Sequence, residues 1–161
     1  MRIVVMGVSG CGKSSFGQAL ASRLGLTYFE GDALHSAANV RKMRSGTPLT
    51  DEDRWPWLDR VAETLKHPAV VSCSALKRAY RHRIRQGAGG RVVFVHLAGD
   101  RALIAERMAA RSGHYMPASL LDSQFAALEA PGPDEAITLD IARPVDQLID
   151  AACIALGEVR S

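Results

Sequence analysis

A glycine-rich octapeptide near the start of the chain limits the possible folds more than any other part of the sequence. Residues 7–14 read GVSGCGKS and match the pattern G-x-x-x-x-G-K-[ST] at every fixed position. A short apolar run, Arg2–Met6, precedes the octapeptide, and apolar residues at helical spacing follow it as far as Gly25. A strand, a glycine-rich turn and a helix in this order are typical of a loop whose backbone N–H groups surround phosphate oxygens. The alternative, a turn without a ligand, is disfavoured by this context.

Each residue type in this P-loop has a role in binding a nucleotide. The partial positive charge at the start of the following helix adds to the attraction for phosphate. Lys13 is expected to contact the β- and γ-phosphates of ATP, and the Ser14 hydroxyl is expected to ligate Mg²⁺. The residues of this segment predicted to bind the nucleotide are Gly7, Ser9, Gly10, Cys11, Gly12, Lys13, Ser14 and Ser15.

Short apolar runs alternate with longer helical patterns, which is typical of an α/β fold with a mostly parallel sheet. We predict a three-layer P-loop NTPase fold, in which a five-stranded parallel sheet has helices on both faces, as a single domain over residues 1–161. The predicted strands are Arg2–Met6, Thr27–Glu30, Ala69–Ser72, Val92–Leu97 and Ala136–Leu139. The predicted helices cover about 12–24, 35–44, 51–65, 76–86, 101–111, 118–128 and 144–156, with Asp51 as the N-cap of the third.

Length and composition exclude several protein classes. The chain has 161 residues, 47% of them hydrophobic and 23% charged, which suits one soluble globular domain. No apolar run approaches the roughly 20 residues of a membrane-spanning helix, and the first apolar run lacks a signal-peptide cleavage site, so we expect a cytoplasmic protein. A net charge of +3 does not indicate a nucleic-acid partner. Three cysteines without a CxxC pair argue against a disulfide framework or a zinc site.

The P-loop alone does not decide the class of enzyme. A GTPase would show an Asn-Lys-x-Asp motif, but the single asparagine, Asn39, is followed by Val40. The His-Arg-Asp loop of protein kinases is also absent from the sequence. A compact kinase for a small hydroxylated acceptor remains. Parallel α/β sheets bind ligands beyond the carboxyl ends of their strands, and Glu-Gly-Asp at 30–32 follows the second predicted strand. A carboxylate there can accept the proton of an acceptor hydroxyl.

Three further segments resemble the gluconate kinases. Residues 31–58 are similar to the pattern GDxLHxxxNxxKMxxGxPLxDxDRxPWL of that family, and residues 72–81 resemble its CSALKxxYR segment. Residues 111–131 resemble its lid region, so the segments together cover nearly the whole chain in order. The resemblance implies a fold related to the nucleoside-monophosphate and shikimate kinases. It also implies ATP- and Mg²⁺-dependent phosphorylation of D-gluconate at the 6-hydroxyl, by a homodimer.

The same resemblance implies roles at the acceptor. Asp32 is expected to contact the acceptor hydroxyl as general base, and capping of the next helix is the alternative. Arg54 suits a carboxylate because a guanidinium binds both oxygens, and a surface ion pair with Asp51 or Asp53 is the alternative. For His35 a structural hydrogen bond is nearly as well supported. The residues expected at the acceptor are Asp32, His35, Lys42, Arg54, Ser74, Lys77, Arg81, His114 and Gln124.

A mobile lid is expected at about 107–124. Arg107 and Arg111 are four residues apart on one helix face and lead into a glycine-containing loop, so closure would bring guanidinium groups over the phosphates. A solvated helix face is the alternative. Arg111 is predicted to be catalytic, as are Lys13 and Asp32. Arg107 is predicted to bind the nucleotide, and so is Arg143, which stands where the family holds adenine.

The sequence departs from the general P-loop plan at the third strand. No carboxylate ends that strand, where many P-loop proteins place a magnesium-binding aspartate, and the chain has Ser72 instead. Magnesium is therefore expected on Ser14, the phosphates and water, with Asp32 as a possible outer partner. Glu30 stands where many family members have aspartate, and the sequence assigns it no role.

Two other functions are compatible with parts of the pattern. A shikimate-kinase-like enzyme for another polyol acid would use the same basic residues and Asp32. A nucleotide-dependent regulator or RNA-binding module would bind nucleic acid with a steep salt dependence. The sequence lacks basic tracts interleaved with aromatic residues, so the second alternative is disfavoured.

Overall fold

The computed structural model of the protein describes residues 1–110 and 118–160. Five parallel strands form one sheet in the order β2-β3-β1-β4-β5, which confirms the predicted fold class. Three strand predictions match at both ends, and the other two differ by one residue. The strands are β1 (Arg2–Met6), β2 (Thr27–Glu30), β3 (Ala69–Ser72), β4 (Val93–Ala98) and β5 (Ala136–Asp140).

Helices cover both faces of the sheet. Alternate residues of β1 point to opposite sides, so Ile3 packs in one apolar core and Val4 in the other. The core of Ile3 includes the helices 13–24 and 145–160, and the core of Val4 includes the helices 51–64 and 78–88. A short 3-10 helix, Gly31–Leu34, follows β2 and was not predicted. The α-helices are α1 (Lys13–Leu24), α2 (Ala37–Arg44), α3 (Asp51–Thr64), α4 (Arg78–Ala88), α5 (Arg101–Ala110), α6 (Ala118–Ala127) and α7 (Val145–Arg160). None of the described helices is both long and apolar enough to cross a membrane.

The N-cap predicted for α3 was wrong by one residue. Thr50 caps this helix, because its hydroxyl accepts the N–H of Asp53 at 3.1 Å while the Asp53 carboxylate accepts the N–H of Thr50 at 2.9 Å. This reciprocal capping box satisfies two N–H groups at the start of α3. It also leaves the side chain of Asp51 available for partners on α4.

The parallel sheet brings the predicted site to one edge. All five strands run in the same direction, so their carboxyl ends lie together. The P-loop follows β1, the 3-10 helix follows β2, and residues 73–77 follow β3. The Gly7 N–H donates to the Ser74 carbonyl at 3.2 Å, which ties the P-loop to the segment after β3.

Candidate active site

The P-loop has the backbone conformation that its glycines allow. Gly7 and Gly10 have φ angles of +145° and +84°, which side chains with a Cβ rarely adopt. A Cβ on Gly10 would also lie 2.5 Å from Cγ of Met108, so the loop packs closely against α5. Lys13 donates from Nζ to the carbonyls of Gly7 and Val8 at 3.0 and 3.1 Å. Its ammonium group therefore lies over the loop, beside the position expected for phosphate.

Glu30 is the functional candidate that the sequence analysis left without a role. Its Oε2 accepts a hydrogen bond from the Ser14 hydroxyl at 2.5 Å. Desolvation alone would raise the pKa of Glu30, but hydrogen bonds from Ser14, Ser72, Tyr28 and the backbone of Asp32 outweigh it and lower that pKa. Glu30 is therefore a carboxylate beside the hydroxyl predicted to hold the metal. A signal was available in the sequence, because Glu30 is the last residue of a predicted parallel strand, whose carboxyl end lies at the same edge of the sheet as the P-loop.

The donors at this position fit Mg²⁺. A hydroxyl and a carboxylate are hard oxygen donors, which Mg²⁺ prefers, and this ion commonly keeps several waters and binds phosphate oxygens as well. Within residues 1–110 and 118–160, no three His, Cys, Asp or Glu side chains are placed to form a metal cage. The arrangement suits a metal held mainly by Ser14, nucleotide phosphates and water, with Glu30 beside it.

Asp32 lies in the 3-10 helix at the carboxyl edge of the sheet. Desolvation by the surrounding protein raises its pKa, the charge of Lys13 opposes this shift, and the charge of Glu30 adds to it. The capping alternative is not supported, because Ser36 caps α2 by accepting the N–H of Asn39 at 3.1 Å. Asp32 is left as a carboxylate near Lys13 with a pKa shifted in the direction that suits a base.

His35 is held as a neutral side chain. Its ring stacks on Trp57 with a centroid distance of 4.1 Å, and its Nδ1 lies 3.2 Å from the Asn39 amide nitrogen. Desolvation, followed by the charges of Arg54 and Arg60, lowers the pKa of His35 to about 4. When the neutral imidazole accepts a hydrogen bond from the Asn39 amide at Nδ1, its single proton is on Nε2. The Nε2–H group can then donate a hydrogen bond to a ligand. Both the structural and the binding interpretation of His35 are compatible with this geometry.

Lys42 and Asp53 join α2 to the start of α3. Nζ of Lys42 lies 3.0 and 2.8 Å from the two carboxylate oxygens of Asp53. The hydrogen bond from Lys42, with the backbone of Thr50 next, lowers the pKa of Asp53 to about 2. The Asn39 amide donates to the Asp53 carbonyl at 2.9 Å, which connects this pair to His35.

Arg54 and Lys77 meet at a shared acidic partner. Lys77 lies 3.4 Å from Oδ1 of Asp51, and Arg54 lies 4.0 Å from the same oxygen. The Tyr80 hydroxyl also donates a short hydrogen bond to this oxygen. The ion-pair alternative for Arg54 is therefore present, and Arg54 additionally donates to the Leu49 carbonyl at 2.7 Å. These contacts place two cations side by side at the edge of the site.

The prediction that Arg81 contacts an anionic ligand was wrong. Its side chain is 0% exposed, and Nε donates to Oε1 of Glu135 at 2.6 Å. Nη1 donates to the carbonyls of Ala75 and Leu76, and Nη2 donates to the Glu129 carbonyl and to Glu135. Every guanidinium N–H has an acceptor in the protein, so none is available for a ligand. Arg81 instead anchors the segment after β3.

Two residues of the segment predicted to form a lid, Arg107 and Gln124, make contacts that the sequence did not predict. The Gln124 carboxamide, expected to close over the acceptor, instead accepts the Ser9 N–H at 2.6 Å and donates to the Ser9 hydroxyl at 2.8 Å. Arg107 donates to the carbonyl of Ile141, which lies beside Arg143 in the segment after β5. Arg143 is exposed in that segment. The predicted residues Arg111 and His114 lie outside the described residues.

The sequence is similar to known kinases. A family model described as an AAA domain matches residues 3–131. The chain is 52% identical to the gluconokinase of Gluconobacter oxydans, over 84% of this chain and 79% of that protein. It is 44% identical to the thermosensitive gluconokinase of Escherichia coli, over 82% and 73% of the two chains.

Solved structures of a gluconokinase and of a shikimate kinase are also similar to this protein. A crystal structure of a gluconokinase from Sinorhizobium meliloti has a TM-score of 0.92 and 50% identity, and the match covers 98% of this chain and 92% of that one. A shikimate kinase from Aquifex aeolicus has a TM-score of 0.66 at 14% identity, over 99% and 98% of the chains, and shares the fold alone. With these identities and this coverage, the chain belongs to the gluconokinase family of P-loop kinases.

Proposed function

We propose that this protein transfers the γ-phosphate of ATP to the 6-hydroxyl of D-gluconate, giving ADP and 6-phospho-D-gluconate. One observation carries the proposal: the P-loop, the Asp32 carboxylate and a group of cations lie at the same edge of the sheet. The names of the similar proteins support gluconate as the acceptor.

Phosphate binding is assigned to the P-loop. Backbone N–H groups of the P-loop, with the Lys13 ammonium, hold the β- and γ-phosphates and stabilise the charge that develops between them. Ser14 would hold Mg²⁺, which neutralises phosphate charge when bound. Arg107 and Arg143 are proposed to bind the nucleotide, since Arg107 already contacts the segment that carries Arg143. Ser9 and Ser15 complete the proposed nucleotide site.

Asp32 is assigned as the general base. The proton of the attacking hydroxyl moves to the Asp32 carboxylate while the γ-phosphoryl group moves to the hydroxyl oxygen, in line with the departing ADP oxygen. A raised pKa makes this carboxylate a better proton acceptor than an ordinary aspartate. Proximity to Lys13 keeps it beside the phosphate that is transferred.

The proposed acceptor site contains cations that can bind an anionic substrate. Three cations line it, and two of them, Arg54 and Lys77, share a single carboxylate partner. The cations are Lys42, Arg54 and Lys77, and their carboxylate partners are Asp51 and Asp53. We assign the gluconate carboxylate to Arg54 and Lys77, and sugar hydroxyls to Lys42, Ser74 and the Nε2 proton of His35.

Other features of the molecule are part of the same proposal. We propose that residues 1–161 act as one kinase domain, that 107–124 form a lid, and that Arg111 and His114 act within it. A homodimer in the cytoplasm is proposed as well. Light scattering on the purified protein would measure the mass, and a monomer at working concentration would reject the dimer.

Steady-state assays with a panel of acceptors test the function. ADP release is measured with gluconate, shikimate and nucleoside monophosphates, and we expect turnover with gluconate alone. Lys13→Ala is the matched control, since a contaminating kinase would survive this change. Turnover of shikimate without turnover of gluconate would assign the chain to another polyol acid. A mobility-shift assay with RNA at low salt should show no complex.

A further inference from the structure

Tyr28 on β2 packs against the backbone of α1 at Gly17. A Cβ at position 17 would lie 2.7 Å from Cε1 of Tyr28 and 3.3 Å from its Cδ1, closer than ordinary carbon contacts. Glycine lowers helix propensity in a helix interior, and Gly17 is the fifth residue of α1. The space that the missing side chain leaves is filled by the Tyr28 ring. This packing determines where the hydroxyl of Tyr28 lies.

That hydroxyl belongs to a closed group of hydrogen bonds around Glu30. It lies 2.9 Å from Oε2 of Glu30 and 2.7 Å from Oγ of Ser72. Ser72, which pairs with Glu30 in the β2–β3 register, donates to Oε1 at 2.8 Å, and Ser14 donates to Oε2 at 2.5 Å. Both oxygens of the carboxylate are therefore held by hydroxyls from neighbouring elements. Burial raises the pKa of Tyr28, so the phenol keeps the proton that it donates.

We propose that Tyr28 is a positioning residue of the magnesium site, which holds the Glu30 carboxylate beside the Ser14 hydroxyl. This inference rests on the proposed function, because it requires that the chain binds a magnesium nucleotide. β3 ends at Ser72, so the carboxylate nearest to Ser14 comes from β2. Glutamate has one more rotatable bond than aspartate, so more conformations must be restricted to hold its carboxylate in place. Tyr28 and Ser72 supply that restriction.

Calorimetry of ADP binding to Tyr28→Phe tests the proposal. The variant keeps the ring in its space against Gly17 and removes the hydroxyl alone. Partners of metal-site residues typically contribute about 10- to 100-fold to metal affinity, so we expect ADP binding in Mg²⁺ to weaken about tenfold. ADP binding in excess EDTA and the Tm should match the wild type. Because no acceptor is present in this titration, its result is independent of whether gluconate is the substrate.

Two outcomes would overturn the proposal. One is that Mg²⁺ increases the ADP affinity of Tyr28→Phe as much as it increases that of the wild type. The other is an equal loss of affinity with and without Mg²⁺, which would mean that Tyr28 acts only through packing.

Gly17→Ala is a second, independent test. Its added methyl group would displace the Tyr28 ring, so we expect the Mg²⁺-dependent part of ADP affinity to fall although alanine favours the helix. Gly157→Ala on α7 is the matched control, since Gly157 is exposed and, among the described residues outside its own helix backbone, a Cβ there has no heavy atom within 4 Å. This control should keep the wild-type response to Mg²⁺. A wild-type response in Gly17→Ala would contradict the role of the Gly17 space.

Discussion

The carboxamide of Gln124 on α6 makes two hydrogen bonds to Ser9 in the P-loop, one to the backbone N–H at 2.6 Å and one to the hydroxyl at 2.8 Å. Ser9 is one of the residues proposed to bind the nucleotide. A neutral carboxamide satisfies the Ser9 N–H without adding charge next to the anion site. Because Gln124 lies at the end of the proposed lid, 107–124, the contact also joins that end to the nucleotide loop.

Gln124→Glu is predicted to weaken binding of magnesium ADP. A carboxylate at this position has nearly the same shape as the carboxamide but repels the phosphates, and its oxygen still accepts the Ser9 N–H. We expect the Kd from calorimetry to rise about tenfold or more, equivalent to about 1.4 kcal/mol. Gln86→Glu, exposed on α4, adds the same charge far from the P-loop and should keep the wild-type Kd. Equal affinities in the two variants would show that Ser9 does not face phosphate.

Asp32→Asn should lower kcat far more than it changes ADP affinity. The amide keeps the size of the side chain but cannot accept the hydroxyl proton, and general-base catalysis typically contributes about 10²- to 10⁴-fold. We expect kcat to fall by about 100-fold or more in steady-state assays, with the Kd for magnesium ADP within about threefold of wild type. Asp134→Asn, an exposed carboxylate before β5, is the control. A wild-type kcat in Asp32→Asn would reject the assignment of the base.

The neutral state of His35 makes stability depend on pH. Its pKa is about 4 in the folded protein and 6.5 ordinarily, so the unfolded chain binds the extra proton between these values. Stability from this group is complete above about pH 6.5 and is lost as the pH falls toward about 4. We expect the Tm of wild type to fall more between pH 7 and pH 5 than that of His35→Gln, measured by calorimetry. Parallel Tm curves would mean that His35 titrates normally.

Arg81→Met should destabilise the fold strongly. The substitution removes the fully buried partner of Glu135, whose side chain is 11% exposed and which keeps only longer contacts to Arg78 and Arg85. It also removes the guanidinium donors to the carbonyls of Ala75 and Glu129. Breaking a buried ion pair typically costs about 3–5 kcal/mol of unfolding free energy. Arg83→Met is the control, since the Arg83–Asp59 pair is exposed and screened by solvent and should contribute much less to stability. Urea unfolding measures both. If the two variants lose similar unfolding free energy and Arg81→Met also has a raised KM for gluconate, Arg81 binds the substrate after all.

Local patterns in the chain were sufficient for the sheet and the P-loop. Arg2–Met6 and Ala69–Ser72 have the predicted bounds because a buried parallel strand needs a short run of apolar residues, which is visible within the run itself. The octapeptide at 7–14 is equally local, since its glycines and Lys13 act within one turn. The N-cap of α3 was missed because Thr50 and Asp51 are both good capping residues, and the reciprocal bond with Asp53 selected Thr50.

The roles of several polar side chains depend on the tertiary structure and could not be read from the sequence. Glu30 meets Ser72 across 42 positions, Arg81 meets Glu135 across 54, and Ser9 meets Gln124 across 115. A charged residue in a helical pattern looks the same in sequence whether it faces water, a ligand or a buried partner. Its chemistry depends on which donors and acceptors the fold brings within hydrogen-bonding distance, and on how much water is excluded there. The strands and the phosphate loop are therefore encoded locally in the sequence. The partners of Glu30, Arg81 and Gln124 are determined by long-range packing.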